Sequence, residues 1–127
     1  MKETKAFKVL TDETKIRIFN LLREEECCVC EVMQALEIAQ SKASRGLIAL
    51  YDAGFLKMRR EGLWSLCSLD KEGIEGYRSQ LVEAVAEALR DNKITALDRG
   101  RLNKADRVDT KCINRLEDGA SCKASSL

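Results

Sequence analysis

Apolar residues recur every three or four positions through the first fifty residues, then fall into two short runs, then return to helical spacing. Phe7 and Leu10 predict a short first helix. Ile16, Phe19 and Leu22 predict a second, with Thr11 or Asp12 placed to cap it. The stretch Cys30 to Leu36 predicts a third, with Val32, Met33 and Leu36 inward. Glu37-Ile38-Ala39 leaves room only for a tight connection. Gln40 to Ala53 then predicts a fourth helix with Ala43, Leu47 and Leu50 as its buried stripe, and Gly54 stands where a helix-terminating residue is expected. The apolar runs Phe55 to Arg60 and Leu63 to Leu69 flank Glu61-Gly62, which predicts a hairpin with glycine at the second turn position. Trp64 and Leu66 share one face of the second strand, opposite Ser65 and Cys67.

From Lys71 to about Asp91 the pattern is helical, and Ile74, Tyr77, Leu81, Ala84 and Ala88 form a coiled-coil-like seam. The small Ala84 and Ala88 would let a second helix approach closely, so the seam is read as a dimer contact; packing on the chain's own domain is the alternative. Beyond Asn92 the chain turns polar. Leu102, Ala105, Val108, Cys112 and Leu116 keep helical spacing, compatible with a marginal docking helix or with a disordered tail, and Gly119 to Leu127 reads as frayed. The expected organisation is a domain over 1–91 and an extension over 92–127 carrying Cys112 and Cys122. Two short helices, a tight turn and a hairpin describe a winged helix-turn-helix, mainly α with a small β-hairpin, dimeric through its terminal helices.

Composition narrows the function. With 127 residues and no long apolar run, the chain supports one small domain and no transmembrane helix. Six cysteines with no visible export signal predict a reducing, cytoplasmic setting in which thiols bind metals or react. Histidine is absent, which removes the usual general base and the commonest zinc ligand together. With no glycine-rich phosphate loop either, an enzyme is poorly supported. The net charge of +1 is unevenly spread: residues 39–60 hold Lys42, Arg45, Lys57, Arg59 and Arg60 against Asp52, as a polyanion partner would require, although a solvated basic face would look the same.

In the predicted geometry the helix starting near Gln40 enters the major groove of double-stranded DNA by its N-terminal half. Gln40, Ser41 and Lys42 stand at its entry and Ser44 and Arg45 on its outward side, with side chains suited to adenine and guanine edges. Lys57, Arg59 and Arg60 on the hairpin would add phosphate contacts. Just upstream, Cys27-Cys28-Val29-Cys30 packs three sulfurs into four residues, a cluster able to seize a soft ion.

Four stretches together carry a family resemblance: Leu10-Thr11-Asp12-Glu13-Thr14-Lys15-Ile16-Arg17-Ile18, Cys28-Val29-Cys30-Glu31, Ser41-Lys42-Ala43-Ser44-Arg45 and Arg60-Glu61-Gly62-Leu63-Trp64. Across about half its length the chain resembles the arsenic-sensing branch of the ArsR/SmtB family of metal-responsive repressors. The resemblance implies a cytosolic homodimer that blocks transcription from an operator until an inducer ion, As(III) or Sb(III), releases it. It also implies sulfur ligands at Cys28 and Cys30 and a third one three residues on, where this chain has Met33, a weak thioether ligand.

The third sulfur is therefore sought at Cys112, on the apolar stripe of the tail, from the same or the other subunit. Cys27 and Cys122 are less favoured: three ligands within four residues would strain the turn, and the frayed end would lose more entropy. Cys67, within a strand, is read as packing. Residues two apart oppose each other on a helix, so a ring through Cys28 and Cys30 is expected to unwind the helix start and shift the reading helix. Other readings remain beside this one: a cadmium- or lead-responsive repressor, a thiol-redox switch, a thiol-disulfide enzyme or metal carrier, and an interaction module that has lost DNA binding.

Overall fold

The computed structural model describes residues 1–107. Cys112, Cys122 and the predicted tail positions Val108 and Leu116 lie outside the described residues. The elements are α1 (Lys2–Val9), α2 (Glu13–Leu22), α3 (Val29–Leu36), α4 (Gln40–Asp52), β1 (Leu56–Glu61), β2 (Trp64–Leu69), α5 (Tyr77–Ala88) and α6 (Lys93–Leu102). Six helices and one antiparallel hairpin make a winged helix-turn-helix, with α3 and α4 as the helix pair and β1–β2 as the wing. No helix among the described residues is long and apolar enough to cross a membrane.

Local chemistry sets the boundaries. The Asp12 carboxylate caps α2 by accepting the Lys15 N–H at 2.9 Å, while the Thr11 hydroxyl donates back to the Lys8 carbonyl and closes α1. Helix α2 buries Ile18, Phe19, Leu21 and Leu22, and Phe19 meets Phe55 edge-on at 5.4 Å. Glu37 ends α3 in the left-handed conformation (φ 57°), which turns the chain at once into α4. At the far end of α4, Gly54 (φ 88°) donates to Tyr51 O and Phe55 donates to Leu50 O, the paired bonds of a Schellman stop. Gly46 permits α2 and α4 to touch: a Cβ there would sit 2.5 Å from Ile18 Cδ1.

Two predicted boundaries move. The strands pair Leu56 with Leu69 through to Glu61 with Trp64, so the hairpin loop is Gly62-Leu63 rather than Glu61-Gly62. Gly62 takes its positive φ (60°) at the first loop position, as in a type II′ turn. The helix expected over 71–91 is shorter. Residues 71–76 form turns stapled by the Asp70 carboxylate on the Gly73 N–H, and Gly76 enters α5 with φ 59°. Ile74 therefore precedes the helix. Ile74, Tyr77 and Leu81 pack against the chain's own core, Val85 is buried beside them, and Ala84 and Ala88 face outward.

The chain past Asp91 continues into the fold. Asn92 caps α6 through the Thr95 N–H, and α6 buries Thr95, Asp98 and Leu102 while lying along α3 and α2. Leu102, expected inside a tail helix running to Leu116, is instead the last residue of α6.

Candidate nucleic-acid interface and thiol site

Helix α4 presents Ser41, Lys42 and Arg45 to the outside, with Ser44 half-buried beside them. Gln40, half-buried at the entry, is engaged with a neighbour. On the wing, Lys57 and Arg60 are exposed, and the Arg60 guanidinium reaches Ser65 Oγ at 3.5 Å. Arg59 differs from the expectation of an open phosphate contact. Its guanidinium holds both Glu26 carboxylate oxygens at 2.7 Å and Glu61 at 3.0 Å, and this hydrogen bonding keeps the Glu26 carboxyl below its usual range. Strand alternation turns Arg59 toward the α2–α3 loop, whose Cys27 bridges to Cys67 through reciprocal N–H···O bonds of 2.9 and 2.8 Å. The loop carrying the thiols is thus a third, one-residue rung of the wing sheet. Cys67 packs in the interior, as its strand position suggested.

Cys28 is the N-cap of α3, with an extended backbone (φ −90°, ψ 170°), and Cys30 lies in the first turn. A capping box closes over this start: the Cys28 sulfur faces the Glu31 amide, and the Glu31 carboxylate accepts the Cys28 N–H at 3.0 Å. Both thiols are buried, and their sulfurs are within hydrogen-bonding reach of each other. That contact, reinforced by burial, pushes the Cys28 thiol well above its ordinary pKa. Burial likewise pushes Cys27 up to about 12 and raises Cys67. All four described cysteines are thiols.

The donor set fits a soft, thiophilic ion in part. Two sulfurs are already together, but among the described residues no group of three cysteine, aspartate or glutamate side chains could hold a metal. Cys27 does not complete a trio with Cys28 and Cys30. Because Cys28 is still extended, the pair is brought together without unwinding α3, contrary to the helical-opposition argument.

Several side chains that brace the site were not anticipated. Asp98, fully buried, receives Arg17 through two bonds of 2.9 and 2.7 Å and Arg101 at 2.9 Å. The first of these contacts raises the Arg17 pKa. Arg101 also donates to Ala35 O at 2.6 Å and pairs with Glu37 at 3.2 Å, so one guanidinium braces the turn between α3 and α4. Past α6 the chain returns along α3: Gln34 exchanges two hydrogen bonds with the Asp106 backbone, and Arg107 reaches the same Glu31 oxygen that caps Cys28. The spacing Cys28-x-x-Glu31 is a capping-box signature with sulfur in place of hydroxyl, so Glu31 was findable from the sequence. Contacts spanning seventy to eighty residues were not.

A family model described as "Bacterial regulatory protein, arsR family" matches residues 12–58. The chain is 41% identical over 83 residues to the arsenic resistance transcriptional regulator ArsR1 of Pseudomonas putida, covering 65% of this chain and 64% of that one. It is 39% identical over 84 residues to a cadmium resistance transcriptional regulatory protein CadC homolog of Staphylococcus aureus, covering 65% and 66%. The first two relatives are thus each spanned over less than two thirds of their length. The arsenical resistance operon repressor of Bacillus subtilis is 32% identical over 80 residues, covering 62% of this chain and 76% of that repressor. Among solved structures, the homodimeric winged helix-turn-helix DNA-binding domain of a Mycobacterium bovis protein superposes with a TM-score of 0.59 at 23% identity, over 72% of this chain and 82% of that one. Matching motifs, matching fold and these identities converge: the chain belongs to the arsR family of bacterial regulatory proteins.

Proposed function

We propose that the chain is a homodimeric transcriptional repressor that holds operator DNA through α4 and the wing and lets go when As(III) or Sb(III) is captured by Cys28, Cys30 and Cys112. One observation carries this reading: Cys28, whose sulfur is within reach of Cys30 in the first turn, is the N-cap of the helix whose other end is the turn into α4. Arg107 supports Cys112 as third ligand. It reaches the Glu31 cap, and five further residues of extended chain span up to about 17 Å, enough to return a sulfur to the pair. The dimer contact is assigned to the exposed Ala84 and Ala88 with the partly buried Ile74, Tyr77 and Leu81, and the homodimer of the Mycobacterium bovis protein supports a two-fold assembly.

Ligand capture by the tail sulfur draws residues 103–107 from their seat on α3. Arg107 then leaves Glu31, Gln34 loses Asp106, and the pull reaches Arg101, which holds Glu37 and Ala35 O at the helix-turn-helix corner. Two reading helices must keep matched spacing on a two-fold operator, so a small shift at this corner lowers affinity.

Proton balance favours a metalloid. Neutral arsenous acid exchanges three hydroxyls for three thiols and releases three waters, As(OH)3 + 3 RSH giving As(SR)3 + 3 H2O, with no net proton lost. A divalent cation must strip protons from thiols whose pKa is already raised. The Staphylococcus relative keeps cadmium as the second reading. Fluorescence anisotropy of the reduced protein on the DNA upstream of its own gene, titrated with arsenite, tests the proposal. Release at near-stoichiometric arsenite is expected; tight binding without release would leave the DNA reader standing and discard the metalloid.

A further inference from the structure

We propose that Lys5, Lys8 and Lys15 form a second site for DNA phosphates, flanking α4 on the side away from the wing. The inference rests on reading α4 as the groove helix and extends the contact surface to α1 and α2. Three observations carry it.

The first is charge without partners. Arginines such as Arg17, Arg59, Arg99 and Arg101 are taken up by carboxylates, whereas Lys5, Lys8, Lys15 and Lys42 make no ion pair among the described residues. Basic groups left open in this way are what a polyanion can use.

The second is position. Lys42, Gly46 and Ala49 run down one flank of α4 at helical spacing. The Lys15 side chain lies against this flank, 3.8 Å from where a Gly46 Cβ would stand. Lys5 and Lys8, three apart on α1, continue the row at the level of Ala49 and Asp52. From Lys42 to Asp52 the helix rises about 15 Å, while each strand of duplex DNA carries one charge per ~3.4 Å of its axis, so a row lying along one strand faces about four phosphates.

The third is a cleft of about 300 Å³ between α1, α2 and α4, lined by Lys5, Lys8, Val9, Lys15, Ala49 and Asp52. Asp52 is the only carboxylate in that lining, so the cleft stays net positive. Glu13 sits on the other side of α2, where it acts on Arg17. A helix in the major groove has a phosphate backbone on each side. The wing's Lys57 and Arg60 serve one backbone, and this lysine row serves the other.

The test is the salt dependence of binding to a mixed-sequence duplex of ~30 base pairs, compared between wild type and K5Q/K8Q/K15Q, with K93Q/K104Q as a control for exposed charge elsewhere. Each lost phosphate contact should lower the slope of log K against log salt by about 0.9, so the triple variant should lose about 2–3 units and bind roughly ten- to a hundredfold more weakly near 150 mM salt. The control should lose far less, and unchanged far-ultraviolet circular dichroism should accompany both variants. A wild-type slope in the triple variant, or an equal loss in the control, overturns the lysine site while leaving α4 as the reader. Failure of the wild type to bind any duplex overturns both.

Discussion

The two ends of α3 are chemically opposite. Its start is buried and closed, with two sulfurs under a capping box; its end opens into α4, which carries unpaired cations into solvent. Only eight residues, about 12 Å of helix, separate them. On the proposed reading, a sensing end hidden from water discriminates by ligand chemistry, favouring a ligand that replaces the thiol protons without charge cost. A reading end exposed to water discriminates by shape and charge. Their closeness means that a displacement too small to disturb the core still reaches the DNA.

The largest expected effect breaks the sensing end alone. Cys30→Ser should raise the arsenite needed for release by at least a hundredfold, given that even supporting partners of a metal site are worth about 10–100-fold, while DNA affinity by anisotropy stays within about twofold. A matched loss of DNA binding would show that the two ends are not separable. Asp98→Ala attacks the brace between them. It leaves Arg17 and Arg101 without their buried carboxylate, and should cost about 3 kcal/mol in urea unfolding, less than a fully buried pair because both guanidiniums are partly exposed.

Arg45→Ala addresses the reading end. It should weaken operator binding by about 1–3 kcal/mol, roughly ten- to a hundredfold, with arsenite stoichiometry unchanged. The pH dependence then sharpens the sensing end. The neighbouring Cys30 sulfur, with burial, holds the Cys28 thiol protonated at neutral pH, so cadmium affinity by calorimetry should rise with pH by up to about tenfold per unit for each proton displaced. Arsenite affinity should stay nearly flat over the same range. Smallest, Glu31→Gln removes charge from the α3 cap and from Arg107, and should lower thermal stability by about 1 kcal/mol. It should also bring release to lower arsenite concentrations, since the strap over α3 is then held less firmly.

What could be read in the chain follows from how local its cause is. Asp12, Gly54 and the stripe Ala43–Leu47–Leu50 act within a few residues, and α2, α3 and α4 lie where their spacing predicted. Gly62 was recognisable as a turn residue, but a positive φ is compatible with either loop position, and only strand register decides between them. Gly73 and Gly76 cut the seam before Tyr77 because periodicity does not see a break in backbone conformation. Cys28 and Cys30 stood out by softness and spacing, yet their mutual contact depends on Cys28 being extended rather than helical. Asp98 gave no signal, since its principal partner Arg17 lies 81 residues earlier.

The return of the chain from α6 along α3 bears on how this regulator can be taken apart. A winged domain ending at Asp91 contains the whole reading surface and both paired thiols, but it lacks Asp98, Arg101 and Arg107. Its α3–α4 corner would be held by one left-handed residue and no guanidinium. The smallest portable sensor is therefore expected to run through Cys112, and a fusion made at Asp91 should read DNA with a slack corner. Swapping the segment from Lys93 onward between relatives would then exchange the sensitivity of the response while leaving the operator sequence unchanged.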